Sequence, residues 1–407
     1  MTYLVVVFGL LLLIFLHELG HFTAARAVGI KPRKFYVGFP PALVKMTRNG
    51  VEYGIGTIPL GGYVRIPGMH RPAARDFDAW IRPALHEDAA LAPVAQRVRR
   101  RLEAENYTEV RDDLPELRTL VEQATLTAGS RRLAERAVRE VDEATGTDAY
   151  WRQPTWKRLV VIAAGPLANV VVAFVIFVVL FATGAPTGPA TNVVAGVEGG
   201  SPAATAGLHT GDRVVGVDGV STPSFAAVSR NIRASHGKAI TVTVQRDGHR
   251  VVLGPQKTIK SGTRWIWGFE PAAQLEKHSL GTSVTTSGST LWRITTGTGS
   301  ALSGLFHQKQ RRQLVGTVGI VRESAAALTV GLPYYLTLVG LVSMSLALLN
   351  LLPLLPLDGG HIAVSIIESV RRRALAREVY ERVSIIGLAI VLFVAFIALN
   401  NDITRPG

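Results

Sequence analysis

The stretch FLHELGHFTAAR, Phe15 to Arg26, carries two histidines and a glutamate at the end of a hydrophobic run that starts at Tyr3. His17 and His21 are four residues apart, so on a helix their imidazoles project from one face and can bind one metal ion. Glu18 follows His17 directly and lies within reach of a water molecule on that ion. This HExxH pattern puts two metal ligands and a base on a single helix.

The hydrophobic context makes the pattern more specific than it is in a soluble helix, where histidine and glutamate are usually solvated surface residues. A charged side chain at membrane depth costs at least about 2.5–3.5 kcal/mol on the insertion scale. Three titratable groups in one such segment therefore require a compensating partner. We predict a metal site at His17 and His21, with Glu18 as the base.

Four hydrophobic runs are about as long as a bilayer's hydrocarbon core requires, which is roughly 17–25 residues. They are Tyr3–Ala25, Leu159–Thr183, Leu336–Leu352 and Ser384–Leu399. The first run lacks the basic flank and cleavage site of a signal peptide, so we expect it to be retained. The prediction is a polytopic α-helical membrane protein with four transmembrane helices, within residues 1–27, 156–185, 332–360 and 380–402.

The formal net charge of +14 suggests anionic lipid or nucleic acid as a partner, and the positions of the basic residues decide between them. They flank the hydrophobic runs, so we expect the lipid bilayer and no nucleic acid. By the positive-inside rule the N-terminus and residues 184–332 lie outside the plasma membrane and the basic loop 361–379 lies in the cytosol. A cluster on the supposed outer side counts against this orientation: Lys309, Arg311 and Arg312.

A third metal ligand must be histidine, aspartate or glutamate, because the chain has no cysteine. Asp358 follows the third hydrophobic run in LLNLLPLLPLDGGHI, Leu348–Ile362. It is either a turn or helix-cap residue or the missing ligand. Two histidines and one aspartate would leave a Zn²⁺ site with net charge +1, which is easier to bury than a bare dication.

The segments between the first two spans contain a β element and a charged region. VEYGIGTIPLGGYVRIPG, Val51–Gly68, alternates β-forming residues with glycine and proline, so we predict a β-loop within residues 28–75, with a plain surface hairpin as the alternative. Residues 76–155 are charged and alanine-rich with helical spacing of apolar residues. We predict a solvated cytosolic helical insert there, without chemistry of its own.

Residues 188–262 are predicted to form a domain, of which Thr191–Leu253 resembles bacterial PDZ domains of the protease-associated kind. The likeness rests on Ser201-Pro202-Ala203, Ala206-Gly207-Leu208, Gly211-Asp212 and Asp218-Gly219, which occur in the order typical of those domains. The resemblance implies an extracytoplasmic PDZ-like α/β domain that binds an extended peptide or a C-terminus at a sheet edge. The alternative is a small α/β domain with accidental turn signals. Residues 263–331 are predicted to be an amphipathic linker along the outer membrane surface.

Taken together, the motifs resemble the site-2 protease family of intramembrane zinc metalloproteases. Besides the PDZ-like region they are HELGH (His17–His21), GTIPLGGYV (Gly56–Val64), AAGPLANVV (Ala163–Val171) and NLLPLLPLDGG (Asn350–Gly360). The likeness covers nearly the whole chain except Asp76–Tyr150. A single PDZ-like domain with four spans resembles actinobacterial members.

The resemblance implies a role for each matching residue. His17, His21 and Asp358 would be zinc ligands and Glu18 the catalytic base. The β-loop, with Gly61 and Gly62, would receive the substrate as an added strand. Asn350 would hold substrate backbone and Asn169 would line the site, with polar contact between helices as the alternative for both asparagines. His361 is expected to be a bystander.

The predicted function is hydrolysis of peptide bonds in or next to the transmembrane segments of single-pass membrane proteins, such as anti-sigma factors, in regulated intramembrane proteolysis. The zinc site is expected to open toward the cytosol, because the basic residues follow the HExxH segment. Two alternatives stay open: a housekeeping protease that clears signal-peptide remnants, and a non-catalytic metal-binding scaffold whose PDZ-like domain binds peptides.

Overall fold

The computed structural model of the chain describes residues 2–304 and 315–404, so the basic cluster at 309–312 lies outside the described residues. The chain divides into two compact units. One unit comprises Ile14–Gly165 and His361–Leu375, and the other comprises Met1–Leu13, Pro166–Gly360 and Ala376–Gly407.

Within the described residues, four helices are long and apolar enough to cross a membrane. A helix satisfies its own backbone hydrogen bonds, which is the requirement for a segment surrounded by lipid. The prediction of a mostly helical chain with four apolar spans is therefore confirmed. The four helices, in a numbering that runs through the whole chain, are α1 (Thr2–Ala27), α6 (Thr155–Thr183), α11 (Leu332–Asn350) and α13 (Arg377–Thr404).

The third span, α11, ends at Asn350, within the predicted segment 332–360. Pro353 and Pro356 follow within a few residues, and proline lacks the N–H that a continuing helix needs. A separate helix, α12, begins at Asp358 and runs to Arg371. The first part of the segment predicted to be the basic loop 361–379 is therefore helical.

Two glycines allow the chain to turn sharply between α11 and α12. A Cβ atom on Gly359 would lie 2.2 Å from the main-chain oxygen of Leu351, and one on Gly360 would lie 2.5 Å from the main-chain nitrogen of Leu355. The two glycines of Asp-Gly-Gly are therefore required sterically, because the backbone of the proline-containing turn packs directly against the start of α12.

The predicted β-loop forms an antiparallel sheet of β1 (Lys34–Arg48) and β2 (Val51–Arg65). Tyr36 is paired with Gly54 on one side and with Tyr63 on the other, so the first half of β1 lies in the middle of the sheet. The second half of β2, Gly62–Arg65, therefore forms an edge of the sheet, which we call the edge segment. Among the described residues no other strand is paired with this edge.

The segment predicted to be a solvated insert has a hydrophobic core of its own. Its four helices are α2 (Ala74–Glu87), α3 (Ala92–Glu103), α4 (Tyr107–Gln123) and α5 (Ala128–Thr145). Their apolar faces bury large side chains completely, among them Phe77, Ile81, Val98, Val110 and Leu117. The insert is therefore a packed helical domain.

Ion pairs join this helical domain to the base of the β1–β2 sheet. The Arg65 guanidinium lies 2.8 Å from Glu140 and 2.7 Å from Glu143, and Arg33 lies 3.1 Å from Asp148. Burial raises the pKa of the Glu143 carboxyl, and Arg65 and Arg33 oppose that shift. The helical domain thus contacts the end of β2 through Arg65.

The other unit contains a domain that we call the sheet domain, residues 185–276. Its strands are β3 (Ala185–Val197), β4 (Arg213–Val217), β5 (Val220–Ser221), β6 (Ala239–Arg246), β7 (His249–Lys257), β8 (Ile259–Ser261), β9 (Arg264–Ile266) and β10 (Phe269–Glu276). The six-stranded sheet has the order β10-β3-β4-β6-β7 with β5 beside β4, and it packs around the fully buried Trp267 and Ile240. Two short helices, α7 (Pro202–Thr205) and α8 (Phe225–Ala234), and the β8–β9 hairpin complete the domain.

The first and last residues of the sheet domain lie next to each other. Ala185 on its first strand is paired with Glu276 on its last, and the His278 amide donates to the Phe181 carbonyl at 2.9 Å. The predicted linker after it contains two helices, α9 (Leu280–Gly304) and α10 (Thr317–Val330). The Asp402 carboxylate near the end of α13 accepts hydrogen bonds from the amides of Gly316 and Gly319, and so caps the start of α10.

Candidate metal centre

The two histidines of HExxH and Asp358 come together in the folded chain. Each offers one ligand atom, and the three atoms lie within 4.8 Å of one another. His17 and His21 are each 7% exposed, and Asp358 is partly buried. His361, three residues beyond Asp358, does not belong to this group. Residues separated by most of the chain therefore form a set of donors that could hold a metal ion.

His21 is oriented by a hydrogen bond from its ring to α6. The Nδ1 atom donates to the main-chain oxygen of Val161 at 2.9 Å, because a carbonyl can only accept. The proton therefore resides on Nδ1, and Nε2 carries the lone pair. A hydrogen bond from the ring nitrogen that does not bind the metal is the usual means by which proteins fix the tautomer and direction of a metal-binding histidine.

The separation of the two imidazoles suits a zinc ion. The Nε2 atoms of His17 and His21 are 3.2 Å apart. Ligand nitrogens about 2.0–2.1 Å from a tetrahedral zinc ion are separated by about 3.4 Å. Two nitrogens and one carboxylate oxygen also match the donor types of a catalytic zinc site, which keeps a fourth position open. The residues present therefore fit zinc.

Gly165 packs against the same histidine. A Cβ atom on this residue of α6 would lie 2.2 Å from Nε2 of His21, so no larger side chain fits while the ring keeps its place. The sequence alone predicts no contact between Gly165 and the histidines. The signal for it was the glycine inside a predicted span, which points to close approach of another group.

Gly62, in the edge segment of β2, lies beside Glu18 of α1. A Cβ atom on Gly62 would lie 2.7 Å from Cγ of Glu18 and 2.8 Å from the main-chain oxygen of Tyr36. Gly61 has a φ of +150°, and its missing side chain leaves room for the Phe39 ring, 2.7 Å from where a Cβ would be. Of the two glycines predicted to contact substrate, Gly62 thus lets β2 approach Glu18 closely, whereas Gly61 makes room for Phe39.

The two asparagines occupy different positions. Asn169 is fully buried on α6, one helical turn beyond Gly165 and on the same face, and its main-chain oxygen accepts a hydrogen bond of 2.8 Å from Ser343 on α11. This backbone contact joins α6 to α11. Asn350 is the partly buried last residue of α11, directly before the turn that leads to Asp358.

Comparison with known proteins gives a single answer about the family. Residues 5–394 match the model of peptidase family M50. The chain belongs to peptidase family M50. It is 30% identical to the zinc metalloprotease RasP of Geobacillus kaustophilus over 98% of this chain and 97% of that protein. It is 28% identical to the metalloprotease MmpA of Caulobacter vibrioides over 98% of this chain and 94% of that protein.

Membership of family M50 identifies the reaction that the grouped histidines and aspartate serve. The protein is an integral-membrane zinc metalloprotease of the site-2 protease type, as the motifs predicted, and zinc is its cofactor. The enzyme acts in a lipid bilayer on membrane-embedded substrates. The histidines and Asp358 are the donors that could bind the metal.

Proposed function

We propose that this M50 protease hydrolyses peptide bonds within or next to the transmembrane segments of single-pass membrane proteins, with His17, His21 and Asp358 as zinc ligands and Glu18 as the base. The observation that carries the proposal is the grouping of the three donor atoms within 4.8 Å. A scaffold that merely bound metal would not need a carboxylate directly beside the first ligand.

The proposed reaction assigns two proton transfers to Glu18. Zinc held by His17, His21 and Asp358 would lower the pKa of a bound water toward about 7 and would polarise the scissile carbonyl. Glu18 accepts a proton as the water oxygen bonds to the carbonyl carbon. It then donates that proton to the leaving nitrogen as the C–N bond breaks, so that one carboxylic acid and one amine result.

A transmembrane substrate must unwind locally before its backbone can reach the donors, because its peptide groups are paired within its own helix. The edge segment of β2 offers those groups new partners by strand addition. Its Gly62 touches Glu18, so an added strand would run past the base. Substrates with helix-weakening residues near the cleavage site are therefore preferred.

The far end of the β1–β2 sheet supports a location in the membrane. Its apolar side chains are exposed, with Leu43 at 65%, Val44 at 66% and Ile55 at 56% exposed. Exposed apolar patches of this kind contact lipid or partner proteins. We assign this end to lipid contact in the plasma membrane, with the metal centre opening toward the cytosol.

We assign the sheet domain as an extracytoplasmic PDZ-like domain that restricts access to substrates trimmed by another protease. Because the first and last residues of the domain are adjacent, this role can be tested by deleting the domain. Because Ala185 and Glu276 are paired neighbours, residues 185–276 can be replaced by a short glycine-serine linker without separating α6 from α9. A gating role requires cleavage of untrimmed substrate by this variant. Unchanged selectivity would contradict gating but leave the protease assignment intact.

The substrates that we propose are single-pass regulators such as anti-sigma factors. Signal-peptide remnants are the housekeeping alternative. The two are separated by supplying the purified full-length enzyme with equal amounts of a single-span regulator and of a cleaved signal peptide. Faster hydrolysis of the regulator supports signalling, and exclusive hydrolysis of the signal peptide supports housekeeping.

The deciding experiment compares wild type with Glu18→Ala and Asp358→Ala in detergent, using a single-span substrate with and without chelator. Both variants are expected to be inactive, while Glu18→Ala still binds zinc. Cleavage that persists in Glu18→Ala would remove the catalytic role that we propose for this residue. Zinc binding without cleavage in the wild type would support the scaffold alternative.

A further inference from the structure

Arg158 and Glu368 form an ion pair between the start of α6 and the end of α12. Nη1 of Arg158 lies 2.9 Å from Oε2 of Glu368. The two side chains are 11% and 22% exposed, so water screens the pair poorly. The other carboxylate oxygen of Glu368 accepts a hydrogen bond of 3.0 Å from the Leu375 amide, so Glu368 also holds the connection that follows α12.

Neither charge is favoured by its own helix. Arg158 is in the first turn of α6, where the positive end of the helix dipole disfavours a cation. Glu368 is in the last turn of α12, where the negative end disfavours an anion. Local helix preference therefore does not account for these residues. Their attraction to each other does, since each charge offsets the unfavourable position of the other.

A second link joins the same two helices. The Tyr150 hydroxyl lies 3.3 Å from the main-chain oxygen of Arg158 and 3.4 Å from the hydroxyl of Ser365 on α12. Ile362, on α12, packs against the hydrophobic cluster that contains Val161 of α6. Three contacts along α12 thus fix its direction relative to the start of α6.

Both helices lead directly to the proposed metal donors. Val161, three residues beyond Arg158, accepts the hydrogen bond from His21, and Gly165 packs against the same ring. Asp358 is the first residue of α12. A rigid helix transmits a change of direction at its end to its start, so the ion pair acts on both sides of the donor set.

We propose that Arg158 and Glu368 are positioning residues, which hold α6 and α12 so that the His21 imidazole and the Asp358 carboxylate meet at one metal ion. This inference rests on the proposed zinc ligands. Neither residue touches the reacting atoms. Their effect is on the affinity and geometry of the metal centre, through the helices that carry its donors.

The test measures zinc affinity of full-length protein in detergent by competition with a chelator, together with the absorption spectrum of the Co²⁺-substituted protein. Glu368→Gln is the mildest variant, because it keeps an acceptor for Leu375 and removes the charge. It and Arg158→Ala are expected to weaken zinc binding by at most about 10–100-fold, the loss caused by removing a group hydrogen-bonded directly to a metal ligand. The Co²⁺ spectrum is expected to change with them.

Two controls separate positioning from general stability. Arg246→Ala breaks the ion pair with the buried Asp212 in the sheet domain, 2.7 Å apart, and is expected to leave zinc affinity unchanged. The reversed pair, Arg158→Glu with Glu368→Arg, restores the attraction and places both charges favourably on their helices. Its zinc affinity is expected to exceed that of Glu368→Arg alone, which lacks the same acceptor for the Leu375 amide.

The outcomes also distinguish this inference from the proposed ligands. His17→Ala and Asp358→Ala must lose zinc binding if the ligand assignment holds. Wild-type affinity in those variants would overturn the assignment itself. Loss in those variants with unchanged affinity and Co²⁺ spectrum in Glu368→Gln would overturn the positioning role alone, as would a folded reversed pair that binds zinc no better than Glu368→Arg.

Discussion

His21 and Val161 are joined by a hydrogen bond of 2.9 Å from the imidazole Nδ1 to a main-chain carbonyl of α6. The bond places the ring proton away from His17 and turns the Nε2 lone pair toward it. The second span therefore determines the tautomer of a histidine on the first. The acceptor is a main-chain oxygen, which no substitution of Val161 removes. The contribution of this hydrogen bond must therefore be tested by changing neighbouring side chains.

Removing the base is expected to stop the reaction without emptying the site. Glu18→Gln keeps the size of the side chain but cannot accept the proton, so peptide hydrolysis should fall by about 10²–10⁴-fold or more. Zinc content, measured on the purified variant, should equal that of the wild type. Loss of zinc from Glu18→Gln would show that the residue has a structural role at the site.

Gly165→Ala is expected to weaken zinc binding. The new methyl would lie 2.2 Å from Nε2 of His21, so the ring or α6 must move. Chelator competition should show an affinity loss of about tenfold or more. Gly288→Ala in α9 is the matched control, since its added Cβ meets nothing within 4 Å. Equal affinities in the two variants would contradict the steric role of Gly165.

Gly62→Ala is expected to reduce turnover while zinc binding persists. Its methyl would lie 2.7 Å from Cγ of Glu18 and 2.8 Å from the main-chain oxygen of Tyr36, so the base or the β2 backbone must shift, and neither histidine is among the three nearest contacts. A misplacement of about 1 Å can lower the rate about 100-fold. The measurement is kcat at saturating substrate beside zinc content, with Gly196→Ala in the sheet domain as control, where the nearest atom is 3.9 Å away.

Chelation should abolish proteolysis reversibly. A chelator removes the metal, and the His17, His21 and Asp358 donors lose the charge that draws them together. Activity should return when Zn²⁺ is added back in slight excess, whereas Mg²⁺ should fail because it prefers oxygen ligands in octahedral geometry. Restoration by Mg²⁺ would contradict a site built from two imidazoles.

The β1–β2 sheet should lose stability in acid. Tyr36 donates a hydrogen bond of 2.6 Å to Glu52, and this bond together with Lys34 lowers the pKa of the Glu52 carboxyl. A lowered pKa means that the stabilisation is present above the ordinary glutamate value of about 4.3 and is lost as the pH falls through the folded value. Burial and Glu52 raise the pKa of Tyr36 to about 12, so the donor persists at neutral pH.

Hydrogen exchange of the β2 amides measures this effect. Protection should be constant between pH 5 and 8 after correction for the intrinsic rate and fall below about pH 4. Tyr36→Phe should reduce protection already at neutral pH, by about 1.5–3 kcal/mol for a hydrogen bond to a charged group, and should reduce the acid dependence. An acid transition of unchanged size in Tyr36→Phe would assign it to another carboxyl.

Much of this enzyme is readable from local patterns. The four spans follow from apolar runs, because the length that crosses a bilayer and the cost of a charge within it are properties of short segments. His17, Glu18 and His21 are readable for a similar reason, since a helix places residues four apart on one face. Asp358 could be proposed as a partner because it is an isolated carboxylate after a hydrophobic run.

The long-range contacts were not readable in this way. The Val161 carbonyl, Gly165 and the Arg158–Glu368 pair carry no local signal of what they touch, because their partners lie more than one hundred residues away along the chain. The hydrophobic core of the helical insert likewise depends on packing between segments. Local chemistry specifies which groups can bind zinc, and the folded arrangement of helices decides whether their lone pairs converge.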